Sequence, residues 1–355
     1  MKRFYIFICF IFLVGCWDQK PLRKTHLAYS VGYDLAKNRD LKQTVEIVHV
    51  GSKLTNEIHS SVKHTAQDTT EKLRTDVTGD ISYIKYGLQL FGKELEKNGI
   101  FPTLDVAFRD PENPTALVKL VSTEGLASDI LEKRKIGNVM IGEFLKNKIN
   151  TLEERSYFPE ENLESIFKKI LDKGEDFTIP SIKIQGKEVV TNGLALFHHD
   201  KLTGRMPLEH CVLFTLLKDS GGKKAHITTK ISDCGYVSVE FKTRKVKRKM
   251  KVTADKFDHV HVDIKLKLFA TIIEYPYNHL NPLKGRKELS RQLSEKLTEE
   301  SQNIIRMLKK ANCDAFGIGR QIMAYHPEYW GKFNYKNVKF HTKVDIRVIG
   351  SGTLK

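Results

Sequence analysis

The sequence predicts an α+β protein of more than one domain, with mixed and antiparallel sheets and helices packed on one face. Two strands and one helix carry that prediction. Val260, Val262, Ile264, Leu266 and Leu268 alternate with His259, His261, Asp263, Lys265 and Lys267, the pattern of a strand with one dry face and one wet face. Phe340, Val344, Ile346 and Val348 alternate in the same way with Lys339, Lys343, Asp345 and Arg347. Between them, Arg286 to Ala311 sets Leu289, Leu293, Leu297, Ile304, Ile305 and Leu308 at helical spacing, a long amphipathic helix. At 355 residues the chain exceeds one ordinary domain of roughly 100–200 residues.

The N-terminus places the protein. Lys2-Arg3 is followed by an uninterrupted apolar run from Phe4 to Val14. A bilayer-spanning helix needs roughly 20 such residues, so this run fits the core of a signal peptide, residues 1–15. Leu13-Val14-Gly15-Cys16 resembles the bacterial lipobox, in which the Cys thiol receives a diacylglyceryl group and the leader is cut just before it. Two acyl chains suffice for stable anchoring where one is marginal. Residues 16–26 then form a lipidated tether, and the expected product is a body held at the outer face of the cytoplasmic membrane.

Residues 27–186 read as an N-terminal α+β region. Leu27 to Leu35 and Thr44 to Val50 form a hairpin around Asn38-Arg39-Asp40. Thr65 to Val77 is helix-forming, Tyr83 to Phe91 a strand, and Glu94 to Asn98 a short helix stopped by Gly99. Thr103 to Arg109 has helical spacing, Ala116 to Val121 reads as a buried strand, and Ile136 to Ile149 and Leu163 to Leu171 are amphipathic helices. Pro180 to Val190 returns to strand character. Residues 191–355 read as a C-terminal α+β domain with an antiparallel sheet and the long helix. Its expected strands include Gly193 to His198, Val212 to Leu217, Ala225 to Ile231 and Tyr236 to Phe241. Gly317 and Gly319 suit a helix stop, and Tyr329 and Trp330 suit a plug between helix and sheet.

The chain carries a net charge of +16, or +14 without Lys2 and Arg3. Such a surface favours an anionic partner. Outside the cytoplasm that partner is a lipid headgroup, not nucleic acid. Lys242 to Lys251 concentrates seven basic residues in ten, a patch able to contact anionic lipid. The apolar phase changes from odd (Val237, Val239, Phe241) to even (Val246, Met250, Val252), so a hairpin turn or bulge is expected near Thr243 to Lys245. Of five cysteines, Cys9 leaves with the leader and Cys16 is the lipid site; Cys211, Cys234 and Cys313 form no even framework and leave room for one pair, three buried thiols being the preferred reading. His259, His261 and Asp263 share a strand face and include zinc-type ligands, but the alternation already explains them as solvent-facing. His198-His199-Asp200 reads as a turn. The sequence contains no G-x-S-x-G, P-loop, H-E-x-x-H or paired C-x-x-C motif, so no catalytic, cofactor or metal site is expected.

An ordered set of motifs carries a family resemblance. Gly15-Cys16-Trp17-Asp18 and Val31-Gly32-Tyr33-Asp34 come first, then Leu104 to Pro111 and Ala127 to Glu132. Gly193-Leu194-Ala195-Leu196-Phe197, Asp314 to Gly319 with His326 to Trp330, and Val344 to Val348 follow. In this order they resemble the Ger(x)C family, the lipoprotein C subunits of spore germinant receptors. The resemblance implies a non-catalytic subunit tethered in the spore inner membrane beside a multi-span A subunit and a transporter-like B subunit, and needed for the response to nutrient germinants. It transfers one site residue, Cys16. The competing reading is a nutrient-binding lipoprotein of an uptake system; the alternating C-terminal strands argue against the parallel two-lobed architecture of that class.

Overall fold

A computed structural model describes residues 25–50, 54–111, 113–231, 235–255, 259–275 and 284–350. The expected leader, Cys16, the tether up to residue 24 and Cys234 lie outside the described residues.

The predicted hairpin forms from β1 (Thr25–Leu35) and β2 (Leu41–Val50), closed by a turn in which Asn38 and Arg39 take φ of 62° and 65°. An edge strand, β3 (Leu54–Lys63), extends it; its polar outer residues hid it from the apolar pattern. Helix α1 (Ala66–Asp76) starts where the Thr65 hydroxyl accepts the Asp68 amide at 3.1 Å. After β4 (Asp80–Ser82) and β5 (Leu88–Phe91) comes α2 (Lys93–Asn98), stopped at Gly99 with φ of 122°. Then follow α3 (Phe101–Arg109), β6 (Lys119–Thr123) and α4 (Ala127–Leu131). Residues expected to begin the next helix instead form a small hairpin, β7 (Lys135–Ile136) and β8 (Val139–Met140), turned by Gly137; α5 (Ile141–Glu154) starts after it. Helix α6 (Leu163–Leu171) is as predicted. The strand character at 180–190 resolves into a hairpin of β9 (Thr178–Gln185) and β10 (Glu188–His198), and β11 (Lys201–Pro207) adds to it.

These strands build one sheet in the order β11-β10-β9-β6-β5-β1-β2-β3, with β4 also on β1. Its centre, β1-β5-β6-β9, is parallel, and each connection between its successive members includes at least one helix. A boundary near 186–191 falls within this sheet, at the β9–β10 turn. The two faces feed separate cores. Val31, Leu120, Ile179 and Phe197 pack with Leu73, Leu104 and Ile166 of α1, α3 and α6. Leu90, Val121, Ile182 and Leu194 pack with Ile130 of α4, Leu145 of α5 and Leu213 of the next helix, α7 (Leu208–Lys218). That helix corrects an expectation, since Val212 to Leu217 reads as a strand. Every residue from Cys211 to Leu217 is buried, so no polar face was left to reveal the helical period.

The second sheet contains β12 (Lys224–Lys230), β13 (Tyr236–Lys242), β14 (Lys247–Ala254) and β15 (Val260–Glu274). Helix α8 (Lys284–Lys310) follows, then α9 (Ile318–Tyr325), α10 (Pro327–Trp330) and the last strand, β16 (Lys339–Gly350). Both β13 and β14 pair antiparallel with β15 along one edge, Phe241 opposite Ala270 and Lys247 opposite Lys267. Six residues advance against three, so the turn Thr243–Lys245 is a bulge and not a hairpin. An odd excess of residues exchanges the inward and outward sets, which is the phase change in the sequence. The sheet is not purely antiparallel as expected: β16 runs parallel to β15, because the long α8 crosses back between them. Helix α8 covers the inner face, with Leu293, Leu297 and Ile304 against Ile264, Leu266, Val344 and Ile346, while the outer face stays wet.

The free edge of β16 is closed by α8 itself. Ser290, Ser294 and Thr298 accept the amides of Val348 (3.1 Å), Ile346 (2.9 Å) and Val344 (3.0 Å). Each hydroxyl donates in turn to the carbonyl four residues back in the helix. Gly317 does not end α8 as expected; Asn312 supplies the left-handed turn there (φ 51°), and Gly317 (φ 71°) opens α9.

Candidate functional site

Polar side chains from distant parts of the chain meet where the two sheets join. Asp176 follows α6, His198 ends β10 with His199 just after it, and Asn312 and Asp314 follow α8. Asp176 Oδ2 accepts the Asp314 amide at 2.9 Å and lies 2.9 Å from His198 Nδ1, while Oδ1 accepts the His199 amide at 2.8 Å. His198 Nε2 is 2.9 Å from Asn312 Nδ2. The hydrogen bond to Asp176 holds the His198 ring above its ordinary pKa despite partial burial. Asp314 caps α9: Oδ1 accepts the Ile318 amide at 2.9 Å and Oδ2 the Gly319 amide at 2.7 Å. Burial pushes its carboxyl up to about 7, against the opposing pull of those two amides.

Beside this junction Lys218, largely buried at the end of α7, donates to the Ala315 carbonyl at 2.8 Å and lies 3.4 Å from Glu175. Lys169 joins the same cluster, 3.3 Å from Glu175 and bonded to Glu161. Burial and the neighbouring Lys169 lower the Lys218 pKa, against the pull of Glu161 and Glu175. A second cluster centres on Glu96 of α2. Its Oε2 accepts from Ser122 Oγ at 2.9 Å and from Arg205 Nη2 at 3.1 Å. Burial pushes this carboxyl up to about 8, Arg205 and Ser122 opposing.

Two stretches singled out in the sequence meet in the first sheet. Asp34 accepts the amides of Ala127 (2.7 Å) and Ser128 (2.9 Å), capping α4. Gly32 lets that helix approach, since a Cβ there would sit 3.0 Å from the Ala127 Cβ. In the same way Gly319 leaves room for the Trp330 ring. Tyr329 and Trp330, expected as a core plug, sit half-buried at the rim, where Tyr329 Oη donates to the Asp255 carbonyl at 3.1 Å.

The sequence candidates fall as follows. His198 and His199 belong to the junction, and Asp200 closes the β10–β11 turn while accepting the Phe101 amide at 3.3 Å. His261 and Asp263 lie on the outer face of β15, between residues of β14 and β16, and His259 precedes the strand. Among the described residues no group of three His, Cys, Asp or Glu side chains is placed to hold a metal ion. Cys211 and Cys313 are buried free thiols, both raised above the ordinary thiol pKa by burial. Within the basic run, Lys247, Lys249 and Lys251 face solvent, whereas Arg248 turns inward, its Nη2 3.1 Å from Met250 Sδ. Sequence reading missed Asp176, Glu96 and Arg205 as parts of these clusters, because their partners lie 22 to 138 residues away in the chain. Asp314 and Asp34 were visible as motif residues, though not as helix caps.

The fold defines a two-sheet α+β body joined through a buried polar junction. Residues 18–184 match the family model described as the spore germination protein N-terminal domain, and residues 192–352 match the one described as spore germination B3/GerAC like, C-terminal. The chain is 22% identical over 363 residues to the spore germination protein GerQC of Bacillus cereus, covering 99% of each. Its fold is similar to the crystal structure of the GerBC protein, with a TM-score of 0.55 and 13% identity, over 90% of this chain and 96% of that one. The chain therefore belongs to the GerAC-like family of spore germination proteins, the C subunits of germinant receptors.

Proposed function

We propose that this subunit works as a non-catalytic, lipid-anchored component of its receptor, tethered through Cys16 at the outer face of the spore inner membrane beside membrane-embedded A and B subunits. The observation that carries the reading is where the family region begins. The match starts at residue 18, two residues beyond the lipobox cysteine and directly after the signal-like leader. No helix among the described residues is long and apolar enough to cross a membrane, so a separate anchor has a role to fill. The clusters described above hold the fold together and bring no nucleophile and base together in an open cleft, which supports a non-catalytic role.

Nutrient-triggered dipicolinate release tests the reading. Spores carrying Cys16→Ala are expected to respond as poorly as spores lacking the protein, while non-nutrient triggers still work. A normal nutrient response from the Cys16→Ala spores would remove the tether from the mechanism. A normal response from the deletion, with sister receptors also deleted, would remove the receptor role.

A further inference from the structure

The basic run noted in the sequence is one third of a larger feature. On the outer face of the second sheet, β14, β15 and β16 lie side by side and place their outward residues in rows. Lys247, Lys267 and Asp345 form one row; Lys249, Lys265 and Lys343 form the next; Lys251, Asp263 and His341 form the third. Six of these nine positions are lysine and two are aspartate. Strand spacing and the two-residue repeat set them on a grid of about 5 by 7 Å. Lysines directly opposite one another across strands repel, and the middle row does this twice. The ammonium groups of that row are exposed, while in the first row Lys267 Nζ lies 4.0 Å from an Asp345 carboxylate oxygen.

The grid ends in apolar side chains. Phe269, opposite Arg347, carries Lys267 Nζ 5.9 Å from its ring, and Ile349 is 44% exposed. Together with Lys245, Lys247 and Val348 they line a shallow groove. A flat field of cations edged by exposed apolar groups is complementary to a sheet of anionic headgroups over an acyl layer.

We infer that the outer face of β14, β15 and β16 is a docking surface for an anionic phospholipid bilayer, one that sets how the body lies on the membrane. The inference deepens the tethering reading: the nine residues from Cys16 to residue 24 reach at most about 30 Å, so a body anchored there stays within reach of the headgroups.

The test uses the mature body, residues 17–355, so that neither the apolar leader nor an acyl anchor contributes, and co-sedimentation with vesicles. Binding is expected to phosphatidylcholine vesicles containing phosphatidylglycerol, and not to phosphatidylcholine alone, and to be lost in high salt. Each basic group close to an anionic surface is worth about a fivefold gain in partition. The triple variant Lys249→Gln, Lys265→Gln, Lys343→Gln is therefore expected to bind about a hundredfold more weakly. A control of equal charge change, Lys63→Gln, Lys93→Gln, Lys187→Gln, alters exposed lysines on the first sheet and α2 and is expected to lose far less. Equal losses in the two triples would reduce the effect to net charge and overturn the assignment. So would indifference of the parent chain to phosphatidylglycerol, which would give the face to an acidic protein partner instead. Circular dichroism and a melting curve on both triples confirm that the comparison is made between folded proteins. Because the assay contains no lipidated protein, its outcome is independent of whether Cys16 is the anchor.

Discussion

Alanine at position 314 is expected to destabilise the body by about 4 kcal/mol. The Asp314 carboxylate is the only described side-chain acceptor for the buried amides of Ile318 and Gly319, at the start of α9. A buried donor left without a partner costs roughly 1–3 kcal/mol, and here two are orphaned at once. Packing does not relieve the loss, since Gly319 lies against Gly174 and Trp330 and leaves little room for water. Asparagine retains one acceptor oxygen and the same shape, so Asp314→Asn is expected to lose less than half as much. Urea unfolding of the two variants checks this. Equal losses, or an Ala variant within about 1 kcal/mol of the parent, would mean that α9 does not depend on this cap.

The second large effect is a pH dependence centred on Glu96. Its carboxyl is fully buried, one oxygen has no hydrogen-bond donor among the described residues, and burial raises it from the ordinary 4.5 to about 8. Below about pH 4.5 the group is protonated in both the folded and the unfolded chain and contributes no slope. Between about 4.5 and 8 the unfolded chain releases the proton while the folded chain keeps it, so stability falls as pH rises. Above about 8 both states are ionised and the contribution is constant again. One pKa unit corresponds to about 1.4 kcal/mol, so the fall across this interval is on the order of 3–5 kcal/mol. Glutamine can still accept from Ser122 and Arg205 but does not titrate. Glu96→Gln is therefore expected to flatten the profile and to be more stable than the parent at pH 8. Melting curves from pH 5 to 9 decide the matter; a variant that retains the parent's slope would place the titration elsewhere.

The sequence made the second sheet legible because one of its faces is wet. Alternation along β15 and β16 wrote their inward and outward sets into the residue pattern, and the stripe on α8 did the same for the long helix. Legibility failed where burial is complete. Helix α7 lies between the two sheets and is buried on every side from Cys211 to Leu217, so its residues looked like a strand. It failed also at the edges, where β3 and β11 carry many polar residues. The direction of β16 was not readable, since alternation marks a strand without stating its partner's sense. The basic run at 242–251 was visible, but its true neighbours are the outward lysines of β15 and β16, brought alongside by register. The junction was hidden for a related reason: Asp176, His198 and Asp314 acquire meaning only when the loops after α6, β10 and α8 meet.

The column of hydroxyls on α8 has a consequence for crowding. Proteins confined to a membrane plane meet one another in two dimensions, at local concentrations far above those in free solution. A twelve-residue strand with unpaired amides would be a template for the same strand of a neighbour. Here Ser290, Ser294 and Thr298 occupy alternate amides of β16 and the helix itself stands in the path of any incoming chain. Under the tethering proposed above, copies packed shoulder to shoulder do not zip together along this edge, and a densely populated surface remains a collection of individual molecules there.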